Sequence, residues 1–171
     1  GANRFREEGR VFFREGAWGR AADSFTRAIE ASSNLPVLLT NRALCNQKLE
    51  RWELVERDAR AAIEQPDGSV SVKAHYLLGK ALLEQGRFQQ SKDSLLRAMS
   101  LSSSPDFKSY RLSIDAALYF VKKRMAEELR KQAREEQEEI RLSWLDLARR
   151  CCDERIEQEG SRRGQALEQR R

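Results

Sequence analysis

Arg6 and Arg10 stand four residues apart, the spacing that sets two side chains on one face of a helix. Two guanidiniums so placed present a fork of donors suited to an anionic group. Asn41 and Lys73 are too far along the chain to share that helix, but an amide and an ammonium donate to the same kind of ligand. If the fold brings all four together, the chemistry is capture of an anion. Taken alone, the two arginines equally suit a solvated helix face, because Glu7 and Glu8 lie between them. Catalysis has thinner support. Glu135-Glu136 and Glu138-Glu139 are adjacent carboxylates with no histidine nearby, and they read as a solvated face. His75 is the single histidine and no Cys-x-x-Cys pair accompanies it, so neither a metal site nor a cofactor is expected.

A row of helices must hold those residues, and the chain repeats itself accordingly. Phe5, Gly9, Phe12, Ala21, Phe25 and Ala28 set a pattern that returns as Asn41, Ala43, Ala59 and Ala62, then as Leu78, Gly79, Leu82, Leu95 and Ala98. Gly9 to Ala43 is 34 residues and Ala43 to Gly79 is 36. A period of that size, with small residues at fixed offsets in helical pattern, marks stacked helix–turn–helix units. Gly9 and Ala28 are small where helices must approach, and Phe12 and Phe25 are bulky where the gap must be filled. Gly16, the vicinity of Trp52, and Gly86 mark the turns inside the units. Ser32-Ser33-Asn34, Pro66-Asp67-Gly68 and Ser102-Ser103-Ser104-Pro105 separate them. The expected fold is all-α: repeats over about 2–35, 36–71 and 72–103 in a domain 1–105, then a capping helix and a long helix or helical hairpin over 106–171. The first helix of each unit lines the concave face of such a stack. Neighbouring helices sit about 8–10 Å apart, so Arg6, Asn41 and Lys73 can converge on one anionic group.

Composition limits the partners. The 171 residues carry 32 basic and 27 acidic side chains, a net charge of +5, with the two signs interleaved, which argues against a nucleic-acid partner. No apolar run of about 18 residues exists, so no membrane span is expected. Three cysteines and no leader segment suggest a reducing, cytoplasmic compartment. Gly1-Ala2 and the arginine-rich tail read as the ends of a piece of something longer.

The register resembles the tetratricopeptide repeat, whose pattern has small residues at its eighth, twentieth and twenty-seventh positions, here Gly9, Ala21, Ala28 and Gly79, Ser91, Ala98. Val55 takes a position where that family usually has alanine. The runs Thr40-Asn41-Arg42-Ala43-Leu44-Cys45 and Ser71-Val72-Lys73-Ala74-His75 are similar to those of the tetratricopeptide co-chaperones that also carry a U-box ubiquitin-ligase domain. That resemblance implies a carboxylate clamp of Arg6, Arg10, Asn41 and Lys73, gripping the free C-terminus of acidic EEVD-type tails of cytosolic heat-shock chaperones of the seventy- and ninety-kilodalton classes. Arg10 stands where the family has an asparagine. It can strengthen the grip or crowd the site. The resemblance also implies groove contacts to the upstream peptide from Val37, Leu44, Lys48 and Tyr76, with Leu77 in place of a third-repeat arginine. Core packing is an equal reading for Leu44. The alternative function is an adaptor that binds another acidic peptide and has no ligase role. No U-box and no catalytic residue lie in these residues.

In the last third, Phe107, Tyr110, Ile114, Ala117, Leu118 and Val121 recur at helical spacing and are expected to cap the third repeat. Ile140, Trp144, Leu147 and Cys151 follow 4–3–4 spacing, a short coiled-coil seam. Such a seam needs burial, by folding back as a hairpin, by capping within a monomer, or in a homodimer, which is what the resemblance implies.

Overall fold

The computed structural model describes residues 1–31, 35–66, 71–102 and 108–168. The separators Ser32–Asn34, Asp67-Gly68 and Ser103–Pro105, and the capping residue Phe107, lie outside these. Among the described residues the chain forms seven helices: α1 (Ala2–Arg14), α2 (Trp18–Glu30), α3 (Leu35–Lys48), α4 (Trp52–Ile63), α5 (Val72–Glu84), α6 (Phe88–Leu101) and α7 (Lys108–Glu168). It divides into two compact units, Gly1–Met125 and Ala126–Arg171.

In the first unit α1 to α6 each pack against their neighbours in that series, and α3 also meets α5. The reason is visible at the small residues. A Cβ on Gly9 would sit 3.0 Å from the Phe25 ring, and one on Gly79 would sit 2.6 Å from Leu95 Cγ. The two glycines let α1 approach α2 and α5 approach α6 to the distance at which large faces small. Ser91, on α6, donates to the Gly79 carbonyl at 2.6 Å across the same approach. Phe25 is buried as expected, whereas Phe12 is only half-buried and carries the Arg20 guanidinium 3.9 Å above its ring.

All three intra-repeat turns are closed in one way. The amides of Ala17, Arg51 and Arg87 donate to the carbonyls of Phe12, Asn46 and Leu82, each at 2.9 Å. This is the Schellman closure, which needs a left-handed residue just past the helix end. Gly16 (φ 77°) and Gly86 (φ 75°) supply it in the outer repeats. The middle repeat uses Glu50 at φ 55°, a conformation that costs a residue with a Cβ about 1–2 kcal/mol. Trp52 opens α4, directly after that turn.

The core of the first unit runs the length of the stack. Phe25, Ala28, Leu38 and Cys45 fill its beginning; Val55, Ala59, Leu77 and Leu82 its middle; and Val72, Leu95, Ala98, Ile114, Leu118 and Val121 its end. The last group shows the expected cap, with the beginning of α7 covering the apolar face of the third repeat. A bidentate ion pair crosses the middle: Arg42 Nε and Nη2 donate to the Asp58 carboxylate at 2.8 and 2.7 Å, and Arg42 Nη1 reaches the Thr26 hydroxyl at 3.1 Å. One side chain thus ties α2, α3 and α4.

The second unit is helical over all its described residues, and no turn interrupts α7 between Lys108 and Glu168. The hairpin alternative is therefore not what the chain adopts. No proline falls in that span and both of its glycines, Gly160 and Gly164, are accommodated within the helix. Its seam residues Ile140, Trp144 and Leu147 are exposed, Trp144 at 66%, and so are Cys151 and Cys152. Among the described residues no helix is long and apolar enough to cross a membrane.

Candidate peptide-binding groove

The first-repeat residues come from α1. Gly9 holds that helix against Phe25, which turns Arg6, Arg10 and Arg14 outward on successive turns. Glu7 engages two of them: Arg10 Nη1 donates to its carboxylate at 3.3 Å, and Arg6 Nε lies 3.5 Å from the same oxygen. That Arg6 nitrogen is shielded from solvent and makes no hydrogen bond. A ligand anion at Arg6 or Arg10 therefore competes with an internal carboxylate.

Asn41 is set by α3 and Lys73 by the first turn of α5. Ser71 caps α5 by accepting from the Ala74 amide at 3.2 Å, which fixes the turn that carries Lys73. The Lys73 ammonium donates to Asn41 Oδ1 at 2.7 Å, so two residues 32 positions apart meet directly. Burial disfavours the charged amine there and brings its pKa down from the ordinary 10.5 to about 8, with the nearby Cys45 acting in the opposite sense. With the Asn41 oxygen engaged by Lys73, the amide NH2 and the other ammonium protons are the donors not used in that bond.

A cleft of about 320 Å³ adjoins Asn41. Glu7, Arg10, Phe13 and Arg14 of α1 form one wall, Asn41 and Leu44 of α3 the other, and Phe25 the floor. The structure thus places Arg10 and Asn41 in one cleft and joins Asn41 to Lys73, while Arg6 is not among the residues lining that cleft. Leu44 serves both readings, since it lines the cleft and also packs on the core. Val37 is exposed at the start of α3. Lys48 has its ammonium 5.7 Å from the Trp18 ring, which in turn meets Phe13 edge-on at 4.8 Å. Tyr76 is half-buried and edge-on to Tyr110 of α7 at 6.0 Å, and burial raises its pKa despite a hydrogen bond with Ser113.

Leu77 corrects the sequence reading. It is 0% exposed and sits in the core with Ala43, Val55 and Leu82, so it lies beneath the groove and cannot line it. α5 is apolar on more than one face, and periodicity alone did not separate inward from groove-facing positions. Two features were missed. The Arg42–Asp58 pair spans 16 residues and two helices, although Arg42 in Thr-Asn-Arg-Ala was the cue available. Arg14, which lines the cleft, continues the four-residue spacing of Arg6 and Arg10.

These features, three helix pairs in a 34- to 36-residue register with small residues at the crossings, define a tetratricopeptide-repeat protein. No protein-family model matches the chain. Among known proteins it resembles the E3 ubiquitin-protein ligase CHIP of Arabidopsis thaliana, with 44% identity over 100 residues that make up 58% of this chain and 35% of the relative. Human RNA polymerase II-associated protein 3 is 36% identical over 96 residues, which is 56% of this chain and 14% of that protein. The chain thus spans about a third or less of the length of these relatives. Two solved structures share the fold. The TPR2B domain of yeast Sti1 in complex with an Hsp70 peptide has a TM-score of 0.65 at 23% identity, covering 71% of this chain and 96% of that one. The first TPR of Spaghetti (RPAP3), bound to the HSP90 peptide SRMEEVD, has a TM-score of 0.58 at 25% identity, covering 69% and 93%.

Proposed function

We propose that the first unit is the chaperone-binding module of a cytosolic co-chaperone and grips the free C-terminal carboxylate of acidic heat-shock-chaperone tails. The observation that carries this is the 2.7 Å bond from Lys73 to Asn41 beside the cleft that holds Arg10. It sets Lys73 against Asn41, and Asn41 lines the same cleft as Arg10. The likeness to a CHIP ligase, and to a domain solved with SRMEEVD, supports the same reading. In this reading Lys73, Asn41 and Arg10 hold the terminal carboxylate, with Arg6 beside them. Val37, Leu44, Lys48 and Tyr76 contact the upstream side chains. Charge-assisted hydrogen bonds contribute about 1.5–3 kcal/mol each, so a few suffice for the roughly 8 kcal/mol of micromolar binding. The test is calorimetric titration of SRMEEVD against the same peptide with a C-terminal amide. The acid is expected to bind with micromolar affinity, the amide at least tenfold more weakly, and Lys73→Ala to abolish acid binding with the fold intact. Equal affinities for acid and amide overturn the reading.

The wider protein would be a ubiquitin ligase, its transfer chemistry lying outside these residues. A second reading, an adaptor without ligase activity, draws on the match of human RNA polymerase II-associated protein 3 over a similar length. An internal acidic peptide that displaces SRMEEVD at equal concentration would favour it. In the second unit, the exposed seam of Ile140, Trp144, Leu147 and Cys151 supports self-association, since a helix bearing so much apolar surface gains by covering it. Sedimentation of the chain is expected to give a dimer that Leu147→Asp dissociates. A monomer at tens of micromolar removes this part.

A further inference from the structure

Arg6, Arg10 and Arg14 form a row along α1 that continues one turn past the proposed clamp. The two ends of the adjoining cleft differ in charge. At one end Glu7 sits between Arg6 and Arg10 and offsets their charge. Arg14 lies seven residues further on, about 10 Å along the helix. It is exposed, and among the described residues it has no ion-pair partner. The Lys48 ammonium lies 5.7 Å from the Trp18 ring, and that ring meets Phe13 of the cleft edge-on. Between the ends the cleft is apolar, with Phe13, Phe25 and Leu44. Its volume of about 320 Å³ admits one or two side chains.

We propose that Arg14 is a specificity-determining residue that, with Arg10, forms a second oxyanion subsite in the cleft and reads a negatively charged side chain of the bound peptide in addition to its terminal carboxylate. This rests on the peptide-binding reading above. The planar guanidinium donates in parallel pairs, which fits a side-chain carboxylate and equally a phosphate ester. The apolar wall beside it lowers the local dielectric and strengthens the contact. The preferred ligand is then an acidic peptide in which an apolar residue enters the cleft next to a charged one, and the charge need not be at the C-terminus.

The experiment is fluorescence anisotropy on the full chain with labelled SRMEEVD, its C-terminal amide, two versions with one glutamate changed to glutamine, and versions with phosphoserine in place of each glutamate. Arg14→Gln is compared with the unaltered chain and with Arg14→Lys, and melting curves check that the exposed substitution leaves the fold unchanged. Arg14→Gln is expected to weaken SRMEEVD on the order of fivefold, with partial rescue by lysine. That loss should vanish for one of the glutamine peptides and return for phosphoserine at the same position if phosphate is accepted. If phosphoserine there binds no better than glutamine, the subsite is for carboxylates alone. Equal binding of every peptide by Arg14→Gln and the unaltered chain overturns the proposal, as does a uniform loss across the series. Indifference of the unaltered chain to the amide would instead overturn the clamp, a failure read separately from the glutamate coupling.

Discussion

Arg42–Asp58 in the first unit and Arg150–Asp146 in the second are the same chemical pair in two settings. Asp58 is 1% exposed and Arg42 18%, while Arg150 and Asp146 are 72% and 51% exposed. The first pair joins separate helices and is fixed at both carboxylate oxygens; the second lies four residues apart on one helix. The apolar side chains divide in the same way. Phe25, Leu77, Leu95 and Ile114 are buried within the first unit, whereas Ile140, Trp144 and Leu147 of the second are exposed. The first unit covers its apolar side chains in a core that runs the length of the stack. Among its described residues the second unit has no buried side chain, so its apolar residues stand exposed.

The contrast is broken most directly at its ion pairs. Asp58→Ala is expected to destabilise the first unit by about 3–5 kcal/mol, because it strands a largely buried guanidinium. Asp146→Ala should cost under about 0.5 kcal/mol. Urea denaturation followed by circular dichroism measures both, and comparable losses would erase the distinction.

Glycine substitution should change sign between the units. Gly79→Ala drives a Cβ into Leu95 and is expected to cost about 1–3 kcal/mol. At Gly160 nothing lies within 4 Å, so Gly160→Ala should raise helix stability by about 0.5–1 kcal/mol. Thermal melts and helicity of the two variants provide the comparison.

Much of the first unit was legible because its crossings need residues without bulk, and Gly9, Ala43 and Gly79 announce them at a fixed interval. The Schellman turns were legible at Gly16 and Gly86 and hidden at Glu50, where a strained residue does a glycine's job. Asn41 and Lys73 could be named from their runs, but their direct bond depends on how two repeats stack. Leu77 was misplaced because leucine is as common under a groove as in one. The hairpin had no turn residues behind it, and the continuous α7 reflects their absence.

A smaller effect concerns Lys73. Its folded pKa of about 8 lies below the unfolded 10.5, so between these values the unfolded chain binds more protons and stability rises with pH. Carboxylate capture needs the ammonium and should move the other way, with affinity for SRMEEVD falling on the order of tenfold from pH 7 to pH 9. Opposite slopes in melting temperature and affinity would place the titrating group in the groove. Parallel slopes would not. The second unit should show no such dependence in its helicity. Smallest of all, Glu50→Gly should stabilise the first unit by about 0.5–1 kcal/mol by relieving the left-handed turn, a gain checked by its denaturation midpoint.

Burial pushes the Cys45 thiol up to about 12, against the pull of the Lys73 charge, and its side chain has no access to solvent. Cys151 and Cys152 stand in the open. Since only a thiolate reacts readily, an alkylating reagent will consume the two outer thiols at once and must wait for the middle repeat to open before it reaches the third. The chain therefore carries its own stopwatch, with two thiols to start it and one to record each opening beneath Asn41. A ligand that closes the groove would be read as a slowing of that clock, with no label added.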